Sequence, residues 1–145
     1  MKGVDSVLES IIKWTGKMSF LGETPSGHQI QMDASEEVGG QNSGARPTEL
    51  VLSAVAGCTG IDIISILQKM RLEPTSFHMD VKGDRAENHP KRFTHIHIHY
   101  ALEGDLPEEK VVRAIQLSNE KYCSVSRSLN AEMTTSFSIN GIKGQ

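Results

Sequence analysis

The sequence predicts an α+β domain, with antiparallel sheets packed around one long central helix in the order β-β-β-α-β-β-α-α-β. Three observations carry that expectation. Short runs of alternating apolar and polar residues, separated by turn residues, fall in two blocks, one before residue 34 and one after Pro74. Between them, Pro47 to Met70 contains no further proline and is apolar almost all the way round, as a helix covered on most sides would be. The size also fits, because 145 residues suffice for one domain, 1–145, with a real core.

The first block holds "SIIKWTG", "KMSFLGE" and "GHQIQMD", three strands divided by Gly16 and by the turn signal "ETPSG". Ile30 and Met32 alternate with Gln29 and Gln31, which suits a strand with one wet face. The Gly-, Ser- and Asn-rich "ASEEVGGQNSGARP" reads as a mobile loop. Pro47 then opens the helix, at a position where its missing N–H costs nothing. Gly57 and Gly60 flank Cys58, so a kink or the close approach of another backbone or a ligand is possible there.

In the second block, "SFHMDVKGDRA" and "RFTHIHIHYALEG" alternate on either side of the turn "ENHPK" and predict a hairpin. "DLPEEKVVRAIQLSNEKY" begins with Asp105 and Glu108 at capping-box spacing, and Val111, Ile115 and Tyr122 form its apolar stripe. "CSVSRSLN" reads as a short helix and "MTTSFSI" as the last strand. A helix apolar on most faces is hard to cover within one small domain, so a second copy of the chain is the expected cover.

Composition narrows the function classes. With 15 Lys and Arg against 18 Asp and Glu, the formal charge is −3 and no basic cluster occurs, so neither nucleic acid nor an anionic membrane surface is expected as a partner. The N-terminus lacks the apolar run of a secretory signal. Asp62 near the middle of the long helix would cost roughly 2.5–3.5 kcal/mol in a bilayer, which argues for a buried helix. Two cysteines, Cys58 and Cys123, are too few for a disulfide framework and point to a reducing, cytoplasmic setting.

Each chemistry-bearing residue has two readings. Cys58 is either an inert core thiol or a nucleophile in an apolar pocket. Its helical neighbours Ala54, Val55 and Ile61 and the acid Asp62 give a thiolate no help, so activation needs a cation or helix end brought by tertiary structure or a second chain. Cys123 is either a half-buried junction residue or a thiol at the start of a helix whose N–H groups stabilise a thiolate. His95, His97 and His99 share one strand face, but with no further ligand in sight they read as a solvent-facing polar row rather than a metal site. Glu49 suits the helix dipole as a first-turn acid. In a straight helix it lies about 13.5 Å along and half a turn round from Cys58, so it could act on the thiol only through a kink, an unwound turn or the partner subunit.

"RPTELVLSAVAGCTGIDIISILQK", followed some 50 residues later by "EKYCSVS", resembles the OsmC/Ohr superfamily of thiol-dependent peroxidases, closest to its YhfA-like branch. The likeness extends to the early strands and the "FTHIHIHY" hairpin. It implies the OsmC-like fold and an intertwined homodimer with active sites at the interface, strands 9–33 being exchanged with or packed on the partner. It further implies that Cys58 attacks an organic hydroperoxide and that Cys123 resolves the resulting sulfenate, with Glu49 assisting. An external dithiol reductant reopens the disulfide, and no cofactor or metal is required. The sequence departs from the family in placing Glu49 nine residues before Cys58 rather than ten, where Thr48 stands, and in having Ser124 after Cys123. It also has no arginine in its first 45 residues, which leaves Arg46, Arg127 or Lys17 as replacements for the family's activating cation. A thiol redox protein with another oxidant, or a non-catalytic small-molecule binder with Cys58 as a wall, are the alternatives.

Overall fold

The computed structural model describes residues 7–144. The chain forms two compact units, one ending at Val51 and the other beginning at Leu52.

In the first unit, β1 (Ile11–Gly16), β2 (Ser19–Glu23) and β3 (Gln29–Met32) make an antiparallel sheet in that order. The β1–β2 turn needs positive φ at Gly16 (117°), which glycine adopts without steric cost. Ile11, Ile12 and Trp14 of β1 are exposed.

The glycine-rich loop expected to be mobile is instead tied to one carboxylate. Asp33, 2% exposed, accepts from the Ser43 hydroxyl at 2.6 Å and from the backbone N–H groups of Ala34 (2.7 Å), Gln41 (3.1 Å) and Ser43 (3.1 Å). Between these anchors the loop contains a single 3-10 turn, Glu36–Val38. The Ser43 hydroxyl, aided by the three N–H groups, outweighs burial and lowers the Asp33 pKa to about 2.

The long helix, α1 (Pro47–Lys69), starts as its sequence predicts. Glu49 accepts the Arg46 N–H at 2.8 Å, the half of a capping box in which the third helical residue satisfies an otherwise orphaned donor. By length and mean hydropathy, 2.1 over its most apolar 18 residues, α1 is long and apolar enough to cross a membrane. Here Val55, Ile63, Ile66 and Leu67 bury one face of it in the core of the second unit. Within the single chain Ile61 is 74% exposed, so the second unit covers only part of the apolar circumference of α1. One small unit has only enough sheet and helix to cover one face.

That core is completed by β4 (Ser76–Arg85), β5 (Phe93–Glu103), α2 (Glu108–Leu117), α3 (Ser124–Arg127), β6 (Glu132–Ile139) and β7 (Ile142–Lys143). The strands form one sheet in the order β4-β5-β6-β7. Ile96, Ile98, Tyr100 and Leu102 of β5 are essentially inaccessible and meet Val111, Ala114 and Ile115 of α2 in the core. The prediction of wholly antiparallel sheets fails at one pairing, since β5 and β6 run parallel. A parallel neighbour needs a crossover of a dozen or more residues, and α2 and α3 supply it.

Two local expectations also change. Pro107, with no side-chain cap, stands at the start of α2, so the Asp105–Glu108 capping box does not form. The predicted continuous helix gives way after Leu117 to a π turn, Ser118–Tyr122, which leaves Tyr122 half-exposed rather than in the apolar stripe. The histidines are not a free polar row. His95 and His97 both meet the Thr134 hydroxyl at 2.7 Å, while His97 (3.0 Å) and His99 (2.7 Å) share that of Ser136. Neutral histidine offers one donor and one acceptor, which a run of shared hydroxyls satisfies in sequence.

The stabilisation at Asp33 has a definite sign. Its folded pKa lies below the ordinary 3.8, so its contribution is complete above that value and is lost as pH falls through about 2. The protection factors of the Gln41 and Ser43 amides, exchange rates taken relative to the free amide at the same pH, are expected to hold down to about pH 4 and to fall as pH drops through about 2, and Asp33→Asn should lower them already at neutral pH. Equal protection in the two proteins would refute the anchoring role.

Candidate functional site

The second unit brings together two thiols that lie 65 residues apart in the chain. Cys58 is on α1 and half-buried, Asp62 follows one turn later on the same face, and Cys123 stands where the π turn hands over to α3. The two sulfurs and a carboxylate oxygen of Asp62 all lie within 4.8 Å of one another, and both cysteines are free thiols. A disulfide needs its sulfurs at about 2.05 Å, so a modest closure would join them.

Local structure explains each position. The Ser118 hydroxyl, at the first residue of the π turn, donates to Asp62 Oδ2 at 2.9 Å and pins the crossover to α1. Five residues later the turn closes, as the Cys123 N–H donates to the Ser118 carbonyl at 2.9 Å. Cys123 then caps α3, its sulfur accepting the Ser126 N–H at 3.4 Å. That end-of-helix setting was expected, but burial was not: Cys123 is 1% exposed. Burial pushes its thiol pKa up, Ser126 pulls it down, and the neighbouring Cys58 adds to the upward shift.

Tyr100 was legible only as one residue of an alternating strand. It is completely buried, and its hydroxyl has no hydrogen-bond partner. The nearby Thr59 hydroxyl donates elsewhere, to the Ala56 carbonyl at 3.1 Å. Burial pushes the Tyr100 pKa up to about 12, opposed by the adjacent Thr59 hydroxyl and reinforced by Cys123 and Asp62.

The other candidates are placed elsewhere. Glu49 belongs to the first unit, where it caps α1. Arg46 gives its guanidinium to Asn42 Oδ1 (2.8 Å) and the Gly44 carbonyl (3.0 Å), and Arg127 gives its own to the Glu120 carbonyl (2.6 Å). Lys17 sits in the β1–β2 turn with positive φ. Among the described residues no ion pair involves Asp62. The three-histidine row lies on β5 with its ring nitrogens engaged by hydroxyls.

Two apolar depressions accompany these features, one in each unit. In the first, Ile12, Met18, Phe20, Met32, Val38 and Pro47 line an open cavity of about 530 Å³ whose wall contains no thiol. In the second, Gly57, Gly60, Ile61, Ile64, Phe77 and Met79 line a groove of about 460 Å³ along the uncovered side of α1. The missing side chain at Gly60 lets Met79 pack closely on the helix, since a Cβ there would come within 2.8 Å of Met79 Cε and displace the end of that side chain.

Comparison with known proteins places these features in context. Residues 40–138 match the family model described as OsmC-like protein. Protein YhfA of Escherichia coli strain K12 is 43% identical over 123 residues, covering 82% of this chain and 87% of the relative. The crystal structure of a hypothetical protein from Aquifex aeolicus VF5 aligns with a TM-score of 0.76 at 32% identity, over 92% of this chain and 98% of that one. An organic hydroperoxide resistance protein OsmC from Legionella pneumophila shares the fold, with a TM-score of 0.68 at 17% identity over 91% and 96% of the two chains.

Burial of Cys123 predicts a readable asymmetry. In the Cys58→Ser protein, after chelation and reduction, Cys123 is expected to alkylate with a midpoint above the ordinary thiol value of about 8.5, as followed by mass spectrometry. A midpoint below that value would show that Ser126 and the start of α3 dominate over burial.

Proposed function

The chain belongs to the OsmC-like family, and from that premise we propose that it is a thiol-dependent peroxidase that reduces organic hydroperoxides. The observation that carries the reading is the juxtaposition of Cys58 and Cys123. A half-buried thiol beside a fully buried one suits a division of labour between a sulfur that substrate reaches and one that only its neighbour reaches.

In this reading the Cys58 thiolate attacks the outer oxygen of the hydroperoxide. The O–O bond breaks, the alkoxide leaves and takes up a proton as alcohol, and Cys58 is oxidised to a sulfenic acid. The Cys123 sulfur then displaces hydroxide from the sulfenate sulfur, its thiol proton completing a water molecule, and a disulfide remains. An external dithiol reduces that disulfide by exchange and is itself oxidised. The active unit is a homodimer in the cytoplasm. The uncovered groove on α1 and the exposed apolar residues of β1 support the dimer, because such faces on a lone chain mark interaction sites.

The proposed roles predict different lesions. Cys58→Ser is expected to abolish dithiol-dependent consumption of an organic hydroperoxide. Cys123→Ser should allow one equivalent per chain and then stop with sulfenate on Cys58, trapped by a dimedone reagent. Retained turnover in Cys58→Ser would remove the proposal. Glu49→Gln can keep the capping bond while losing the charge, so the assisting role predicts lower turnover at an unchanged melting temperature. Light scattering should give twice the mass of one chain on dilution, and a compact monomer would remove the dimer.

One observation favours a second reading. The two sulfurs lie close enough to pair with each other, which equally suits a dithiol that exchanges with disulfides. Faster oxidation of the pair by a small disulfide than by an organic hydroperoxide would select it.

A further inference from the structure

Cys58, Asp62 and Cys123 present three donor atoms of the kinds that bind divalent transition metals. A tetrahedral ion with bonds of about 2.0–2.3 Å holds its donors roughly 3.5–3.8 Å apart. The three donors already lie within 4.8 Å of one another, about 1 Å more than such an ion requires. We propose that the reduced thiol pair, together with Asp62, is a binding site for a thiophilic divalent cation of the zinc type, with three protein ligands and one open position.

Four features around the donors support the site. The Ser118 hydroxyl holds Asp62 by Oδ2, which orients the carboxylate and leaves Oδ1 free. The Ser126 N–H already donates to the Cys123 sulfur, a contact that strengthens when the sulfur becomes anionic. Among the described residues the cluster lacks an ion-pairing cation, so a divalent ion would neutralise charge that the buried surroundings otherwise oppose. Finally, the completely buried Tyr100 hydroxyl, unpartnered and close enough for Cys123 and Asp62 to act on it, would gain a partner in a water at the open position.

The binding step balances without electron transfer. Two S–H bonds break, two metal–sulfur bonds form, and two protons pass to solvent, so affinity rises with pH. Oxidation of the pair to a disulfide removes both sulfur ligands. Metal occupancy and the disulfide therefore exclude each other, and a bound ion shields Cys58 from oxidants. The inference rests on the geometry of the thiol pair and is independent of peroxidase activity.

The test is cobalt(II) titration of the full-length, chelator-treated and reduced protein. The expected result is saturation at one equivalent per chain, with a thiolate-to-cobalt charge-transfer band and tetrahedral visible bands that zinc abolishes. The same protein oxidised beforehand to the disulfide should give no such band, a comparison that needs no variant. Asp62→Asn should weaken zinc binding at least tenfold and Ser118→Ala about tenfold, with circular dichroism unchanged. Absence of the thiolate band in the reduced protein, a spectrum of nitrogen and oxygen ligands only, or wild-type affinity in Asp62→Asn would each overturn the proposal. Hydroperoxide consumption by the metal-free protein is measured separately. The thiolate band in an inactive protein retracts the peroxidase reading alone, and an active protein without the band retracts the metal site alone.

Discussion

The parallel pairing of β5 with β6 is the constraint on which the candidate site depends. Two parallel strands side by side cannot be joined by a hairpin, so the chain must leave the sheet after β5, cross over and return. The crossover is the segment of α2, the π turn and α3, and it carries Cys123. Because α2 must bury Val111, Ala114 and Ile115 in the same core as β5, the C-terminal end of that crossover is held close to α1. The Ser118–Asp62 hydrogen bond is the polar contact that fixes where it lands.

The π turn converts that placement into chemistry. A regular α-helix continued through residues 118–122 would keep Tyr122 on the apolar stripe. The wider turn lets the Cys123 N–H close on Ser118 and turns the thiol inward as the cap of α3. Such turns recur at functional sites because they re-aim one side chain without breaking the element. The result is a pair of unequal thiols, one partly open and one enclosed, with a carboxylate as their ionisable neighbour. The proposed peroxide reduction and the proposed metal binding would call on the same two sulfurs and separate by their neighbour: a cation favours the free thiolate, whereas a carboxylate adds a ligand.

Burial divides the remaining apolar surface in the same way. The face of α1 that carries Val55, Ile63 and Leu67 is satisfied within the chain, while Gly57 and Ile61 stand on a face that is not. A helix apolar all round within a small protein therefore reports more than one contact surface rather than a single deep core.

The sequence by itself determined the strands, the long helix and its start, because these follow from periodicity and punctuation that act over a few residues. Pro47 and Glu49 announce the opening of α1, and alternation announces β4 and β5. Both cysteines were legible as candidates, whereas Asp62 was legible only as an acid one turn from Cys58 that disfavours its thiolate. Tertiary structure alone decided the rest. Ser118 and Tyr100 carry no local signal, since a serine in a helix and a tyrosine in a strand are ordinary until another element is set against them. The loop read as mobile is anchored by Asp33 through donors eight and ten residues away, beyond the reach of any turn rule. The parallel register of β5 and β6, the burial of Cys123 and the meeting of the two thiols arise from contacts between residues distant in the chain. Local propensity cannot encode such contacts, because they form only when the core shared by α1, α2 and β5 closes.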